Sequence, residues 1–379
     1  FTRDSLMEFG NFEKGMNEVF TLLPGISGDA MNEMNEQTLA LAREMGVLPE
    51  EIVPALYQAL SAGVPPDNVF EFLRTGVKAS VGGITSLETA VDGLTSATNS
   101  YGVENLSAAE AADIMFTTVK LGKTNMEELS SRLYNVIPIA SAAGVEFGTV
   151  GAALADLTAK GVPTAQATTQ LRAAIQSLVA PTKAQREQME KMGIDVDKLK
   201  ETVGSGPDGL VKAMQMLQEA TEGDMEALRK LVGTVEGVQA ILALTKDDAK
   251  GFKAALEEMG EAAGATDEAF GTMDKGFLRS MERMKAELKA TMIEFGKALM
   301  PLVEMIMPVI QKLVRMLGQV DFTMIAEKLK ALFDEIAPIF ADLASEIRGL
   351  PWDELAEFAE PVLKMLIDMA KKVFSIMKK

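Results

Sequence analysis

The chain has 379 residues and a net charge of −18, and it contains neither cysteine nor histidine. Without these two residue types, one chain cannot form disulfides, cysteine nucleophiles, serine–histidine triads, Cys/His zinc sites or iron–sulfur clusters. Apolar residues make up 47% of the sequence and aromatic residues only 6%. Because Ala, Leu, Met, Glu and Lys favour helices, this composition predicts an all-α fold with a buried core.

The negative charge is confined to the first part of the chain. Residues 270–379 contain 16 basic and 16 acidic residues, so the whole −18 lies in residues 1–269. An acidic surface repels nucleic acid and anionic lipid, which argues against a sequence-specific nucleic-acid partner. The chain begins at Phe1 rather than at a methionine, which indicates a processed or excised part of a longer protein.

Residues 1–27 are predicted to form an N-terminal helical segment, and residues 28–263 an array of short helices that contains a duplication. Each copy reads as a helix ending at Gly-Val, a helix of about four turns, a Gly-Val-Pro turn and another helix. Two copies of one helical hairpin are the simplest interpretation. The matching positions, 98 residues apart, are Gly46-Val47 with Gly144-Val145, Ala55-Leu56 with Ala153-Leu154, Gly63-Val64-Pro65 with Gly161-Val162-Pro163, and Leu73-Arg74 with Leu171-Arg172.

Two further segments of this region fit a capping box at the start of a helix. They run from Ser107 to Glu110 and from Thr124 to Glu127, with a hydroxyl at the first position and a glutamate three residues later. In such a box each side chain accepts a hydrogen bond from the backbone N–H of the other residue. Both segments therefore predict helix starts.

No segment of the chain predicts catalysis, a cofactor or a metal site. The stretch 204–209 has the spacing of a dinucleotide-binding loop, but a helix is predicted before it where that loop needs a strand. Neither this stretch nor the Gly82-Gly83 pair is followed by Lys-Ser/Thr, so no phosphate-binding loop is predicted. Acidic pairs such as Glu127-Glu128 and Glu257-Glu258 are interpreted as solvated helix faces rather than as glycosidase carboxyls.

Residues 264–320 are predicted to form a long amphipathic, methionine-rich helical segment. Two interpretations stay open: a packing seam within the chain, or an adaptable surface that contacts sister chains and later lipid. Pro301 and Pro308 interrupt the stripe, and each should kink the helix or start a new one. The apolar residues, in steps of three and four, are Phe277, Met281, Met284, Leu288, Met292, Phe295, Leu299, Leu302, Ile306, Val309, Leu313, Met316 and Val320.

Residues 321–379 are predicted to form further amphipathic helices, near 321–346 and 351–378. In the last one the apolar residues share a face, and the lysines lie off it, which is the pattern of a basic amphipathic helix. It docks on its own chain or contacts a membrane or a partner. Its basic residues are Lys364, Lys371, Lys372, Lys378 and Lys379.

Several segments together resemble the core region of the phage tail tape measure family. Between residues 105 and 200 the order of segments is that of the family, and residues 277–320 resemble its downstream amphipathic segment, including the stretch 299–304. The resemblance extends from about residue 30 to residue 320. The segments that carry it are Leu106–Ile114, Leu129–Val145, Leu154–Pro163, Leu171–Ile175 and Met192–Asp195.

This resemblance implies a structural protein of the virion, made in the host cytoplasm and placed inside the tail tube. Such proteins lie there as parallel copies, set tube length during assembly and then assist passage of the genome across the host envelope. The implied partners are further copies of the same chain, in a homo-oligomer of three or six copies, together with the tail tube protein, baseplate or hub proteins and the host membrane. The alternatives are a cytoplasmic helical-repeat scaffold and, less favoured, a cell-wall glycosidase.

Overall fold

The computed structural model describes residues 2–317, and within that range every regular element is a helix, which confirms the all-α prediction. The helices predicted near 321–346 and 351–378 lie outside the described residues. In chain order the helices are α1 (Thr2–Phe20), α2 (Gly28–Met45), α3 (Pro49–Ser61), α4 (Val69–Gly83), α5 (Leu87–Tyr101), α6 (Ala108–Leu121), α7 (Met126–Ser130), α8 (Ile137–Ala142), α9 (Phe147–Ala159), α10 (Thr164–Val179), α11 (Lys183–Lys191), α12 (Val196–Val203), α13 (Gly209–Ala220), α14 (Met225–Val232), α15 (Val235–Gly260), α16 (Ala265–Met273) and α17 (Phe277–Leu317).

The chain divides into two compact units. The larger comprises residues 15–287; the described part of the other comprises residues 2–14 and 288–317. The predicted domain limits at residues 27, 263 and 320 stay predictions, and the larger unit extends past the first two.

The predicted duplication is visible in helices α3 and α9, whose first and last residues are each 98 positions apart. The glycine before each helix is left-handed, with φ of 64° at Gly46 and 72° at Gly144. The glycine after each helix is also left-handed, with φ of 92° at Gly63 and 91° at Gly161. Because a side chain disfavours this backbone region, glycine at these positions ends one helix and frees the chain to start the next.

The second helix of each copy also buries the same face. Seven positions of α4 are buried, and the residues 98 positions later in α10 are buried too. Both helices thus present one apolar stripe to the core, as amphipathic helices do. The equivalent pairs are Val69 and Ala167, Phe72 and Gln170, Leu73 and Leu171, Gly76 and Ala174, Val77 and Ile175, Ala79 and Ser177, and Ser80 and Leu178.

One of the two predicted capping boxes is correct and the other is wrong. Ser107 and Glu110 form the box at the start of α6, and the backbone and hydroxyl hydrogen bonds from Ser107 lower the pKa of the Glu110 carboxyl. At α7 the N-cap is Asn125 instead, whose side chain accepts a hydrogen bond from the backbone N–H of Glu128. Asparagine caps at least as well as threonine, and the Thr124 hydroxyl is paired with that of Thr164 at 2.7 Å.

The structure also shows where the prolines of α17 and the glycine-rich stretch 204–209 lie. Pro301 and Pro308 both lie inside α17, so neither starts a new helix. The glycine-rich stretch 204–209 follows the helix α12 and leads into α13. It therefore lacks the preceding strand of a dinucleotide-binding loop, as the sequence predicts. Helix α15 is interrupted at residues 246–249, where Asp247, Asp248 and Ala249 have left-handed φ angles, and this divides it into two halves.

In the smaller unit, the start of α1 packs closely against α17. A side chain at Gly296 would collide with the Ser5 carbonyl and the Phe9 side chain, so glycine permits the close approach of the two helices. Lys289 of α17 also forms an ion pair with Glu8 of α1. The face of α17 used here contains the buried residues Ala290 and Ile293.

We predict that Gly63→Ala and Gly161→Ala destabilise the protein equally, each by about 1–2 kcal/mol, the cost of a left-handed backbone for a non-glycine residue. Neither position has another atom within 4 Å of an added Cβ, so the backbone conformation alone sets the cost. Chemical denaturation measures the loss.

The matched control is Gly28→Ala, where an added Cβ also meets nothing within 4 Å. Its φ is ordinary, so the change should be at most about 0.5 kcal/mol. Unequal losses at Gly63 and Gly161 would contradict the structural equivalence of the two copies.

Candidate interaction surface on the long helix

The chain enters α17 through α16, which is fixed at its start by a carboxylate from α6. Asp113 accepts hydrogen bonds from the backbone N–H groups of Gly264 (2.7 Å) and Thr266 (2.9 Å). A carboxylate there satisfies free N–H groups and interacts favourably with the positive end of the helix dipole. Lys78 of α4 adds an ion pair to Asp267, at 2.8 Å. Helix α16 is therefore held against α4 and α6.

The first turn of α17 is anchored by a buried arginine. The Arg279 guanidinium donates hydrogen bonds to the carbonyl oxygens of Met45 and Gly46, at the end of α2, the latter at 2.9 Å. These carbonyls have no partner within their own helix and carry the negative end of its dipole. Arg279 also pairs with Asp274 (3.1 Å) and Glu282 (3.0 Å). Two carbonyl oxygens and two carboxylates therefore compensate the charge of the buried guanidinium.

The anchor depends on the duplicated glycine at the end of α2. A Cβ at Gly46 would collide with the Arg283 side chain, so only glycine lets α17 approach this closely. Arg283 in turn pairs with Asp274, whose carboxylate also holds Arg279. A single carboxylate therefore orients two arginines against the end of α2.

A cavity of about 470 Å³ beside this anchor is lined by charged side chains of both signs. Burial raises the pKa of the Glu51 carboxyl, and the charges of Glu50 and Glu282 raise it further. Arg279 and Lys285 are the basic lining residues and offset part of this repulsion. The carboxyl groups that line this cavity therefore lie at the contact that holds the first turns of α17 in place.

This attachment turns the predicted apolar stripe towards solvent. Arg279 and Ala286 are buried on the docked face, while Phe277 is 77% exposed, Met281 44% and Met284 59%. At 100° per residue, Phe277, Met281 and Met284 lie on the side of the helix opposite the docked face. Together with the exposed Leu278, they form the exposed stripe of the larger unit, and the predicted stripe residue Leu288, which belongs to the smaller unit, is exposed too.

Further along α17 the predicted stripe residues are more covered. Met292, Phe295, Leu299, Leu302, Ile306 and Val309 are half-buried. The side chains of Leu313 and Met316, together with Val320, lie outside the described residues, as do the basic residues Lys364, Lys371, Lys372, Lys378 and Lys379. Whether the stripe is a packing seam or an adaptable surface stays a prediction.

The part of the chain that the structure describes has neither a membrane-spanning helix nor a metal-binding cluster. No helix there is both long enough and apolar enough to cross a membrane. No group of three or more acidic side chains there is arranged to hold a metal ion. What this region does present is the exposed stripe, whose chemistry suits packing against another apolar surface.

The part of the chain that matches a known family lies within the larger unit. A family model described as a phage-related minor tail protein matches residues 30–234, which is more than half of the chain. The chain belongs to this family. The resemblance to tape measure proteins that the sequence indicates is therefore confirmed, and the chain is a component of a phage tail.

Two curated relatives are themselves tape measure proteins. The probable tape measure protein of Clostridium phage phiCD119 is 27% identical over 347 residues, which cover 89% of this chain and 36% of that protein. The tape measure protein of Pneumococcus phage Dp-1 is 20% identical over 338 residues, covering 88% of this chain and 29% of that protein. The chain thus spans about a third of the length of these relatives. No solved structure matches it.

The sequence reasoning missed the residues that orient the stripe. Asp113, Asp274 and Arg279 join helices that are far apart in the chain, and Arg279 reaches a carbonyl 233 residues before it. The spacing of Asp274 and Arg279 in the sequence does not follow the helical repeat, because a turn separates Asp274 from α17. The one available signal was an arginine two residues after the start of a predicted apolar stripe.

We predict that Arg279→Ala destabilises the protein by about 3 kcal/mol, because it leaves buried carbonyls and the Asp274 carboxylate with fewer partners. The matched control is Arg74→Ala, which removes a two-pronged ion pair with Glu44 in which both side chains are largely exposed. This control should cost at most about 1 kcal/mol. Equal losses in denaturant titrations would contradict the anchoring role of Arg279.

Proposed function

We propose that this chain is the folded helical part of a phage tail tape measure protein. In this role it contributes to setting tail length during assembly and assists delivery of the genome across the host envelope. The observation that carries the proposal is the family match over residues 30–234, which lies within the compact unit of residues 15–287. The names of both curated relatives support it.

The fold favours a folded section over an extended ruler. A helical ruler works because helix length grows by about 1.5 Å per residue. Residues 15–287 are instead divided into short helices that pack on one another. The length of this unit therefore does not grow in proportion to its number of residues. The longest described helix, α17, has 41 residues, or about 60 Å. We therefore assign the ruler to other parts of the longer protein.

Self-association through α17 is the second part of the proposal. The exposed stripe continues the spacing of three and four residues that packs helices side by side. An apolar stripe of this kind is unfavourable in water and is stabilised when a sister chain covers it. Parallel copies within a tail tube would bring equivalent stripes together. Contact with a host membrane is a further role that the same surface would suit, since methionine-rich surfaces adapt to different partners.

Tail length separates the folded-section proposal from a ruler. Deleting residues 15–287 from the phage gene should shorten tails by far less than about 400 Å, the length of those residues as one straight helix. Tails of nearly normal length that deliver little DNA are the expected outcome, measured by electron microscopy and plating. Shortening by the full helical length would contradict the proposal.

Charged substitutions in the exposed stripe should weaken self-association. The double change Met281→Glu and Met284→Glu removes the burial of two side chains, each worth about 1.5 kcal/mol or more. Association measured by analytical ultracentrifugation should weaken at least about tenfold. Ser280→Glu, on the same turn but outside the stripe, is the control and should change association little. Unchanged association in the double variant would exclude the stripe as the contact between copies.

A further inference from the structure

The first half of α15, residues 235–245, packs on α10. Near its start, a Cβ at Gly237 would lie 3.3 Å from the backbone of Ala173, in the middle of α10. Near its end, the Ala243 carbonyl accepts a hydrogen bond of 2.5 Å from Lys160, which lies in the turn between α9 and α10. The first half therefore runs antiparallel to α10, towards that turn.

The latter half of α15, residues 250–260, returns along α9. A side chain at Gly251 would collide with the Asp156 carboxylate, and Met259 lies over Gly148. Because residue numbers rise along α15 as they fall along α9, these two helices are also antiparallel. Since α9 and α10 themselves form a helical hairpin, the two halves of α15 run in opposite directions. Helix α15 is thus a second hairpin, laid over the first.

The turn of this hairpin, residues 246–249, is made without glycine. Asp247, Asp248 and Ala249 are all left-handed, with φ of 53°, 58° and 58°. Side chains disfavour this backbone region, and most other left-handed residues in the described part of the chain are glycines. Gln215 donates a hydrogen bond to the Asp248 carboxylate at 2.7 Å, which helps to hold the turn closed. The turn is therefore strained and held by its surroundings.

The sequence of α15 is also compatible with one uninterrupted helix. Its turn contains neither glycine nor proline, the two residues that oppose a helix most. Buried residues of the two halves follow each other in steps of three, four and seven, which is the register of a single helix. Residues 235–260 would then form a rod of about 39 Å. The buried residues in this register are Val238, Ile241, Thr245, Phe252, Ala255 and Met259.

We propose that α15 opens at residues 246–249 into one continuous helix and exchanges its latter half with a second copy of this chain. Each latter half then packs on α9 of the other copy, so the contacts at Gly148 and Asp156 are kept while the left-handed turn is removed. Strained hinges between packed elements favour such an exchange. Helix α16 and the first turns of α17 follow in the chain, so residues 250–287 exchange as one block. This interaction uses a different surface from the exposed stripe and does not rest on the proposed function.

Disulfide cross-linking of the full chain tests the exchange, because the chain has no cysteine of its own. A Cβ at Gly148 would lie 3.8 Å from the Cβ of Met259, a separation that a disulfide spans without strain. One variant carries Gly148→Cys and the other Met259→Cys. The two are mixed in denaturant, refolded together and oxidised. A disulfide between them joins α9 of one copy to α15 of the other, so copies that associate only through α17 do not form it.

A covalent dimer should form from the mixture and not from either variant alone. Two further changes at one exposed position of the turn, Asp247→Gly and Asp247→Ala, remove the same charge and act in opposite directions. Glycine relieves the left-handed backbone and favours the closed hairpin, whereas alanine favours the continuous helix. With two turns in each dimer, the dissociation constant of the exchanged dimer should be at least about tenfold lower with alanine than with glycine.

The cross-linked fraction, followed against protein concentration, measures this difference. Sedimentation of the two Asp247 variants without added cysteines gives the same comparison independently of how well the cysteines fit. A mixture that yields no covalent dimer, together with equal sedimentation of the two variants, would overturn the proposal. Equal dimer formation by the glycine and alanine variants would overturn it too, because the turn would then play no part. Circular dichroism checks that each variant is folded.

Discussion

The guanidinium of Arg279 joins the first turn of α17 to the end of α2, and the orientation of the long helix depends on that contact. A cation beside the carbonyls at a helix end satisfies acceptors that have no partner in their own helix. Asp274 holds the guanidinium in place, and Gly46 leaves the space that Arg283 needs. Because Arg279 fixes one face of α17 inward, the apolar residues on the opposite face are exposed.

The duplication gives the larger unit its regularity and also its asymmetry. Glycines that end helices recur with nearly the same φ, and α4 and α10 bury the same positions. The sequences between and after the copies are not duplicated, so different helices pack on them. The latter half of α15 packs on α9, whereas α1 packs on the equivalent surface of α3, where Gly15 lies against the buried Val53. The same face of the repeated helix thus receives a different helix in each copy.

These features fit a tail protein whose parts do different work. A compact array of short helices cannot convert residue number into length, so a ruler belongs to longer, uninterrupted helices. The folded section instead offers the exposed apolar stripe at the start of α17.

The sequence by itself determined the all-α class, the duplication and the family, because each is encoded by local signals. Glycine and proline mark helix ends, apolar spacing marks faces, and the order of segments between residues 105 and 200 marks the family. Even a local signal failed where two neighbours competed: at α7 Asn125 rather than Thr124 became the cap, since Thr124 bonds to Thr164. The sequence also found the stripe on α17, but it left open whether that stripe packs inside the chain. Only the tertiary structure decided that Phe277, Met281 and Met284 are exposed and that Arg279 is buried. The reason is that contacts such as Arg279 with Gly46 or Asp113 with Gly264 join residues far apart in the chain, where no periodic pattern connects them.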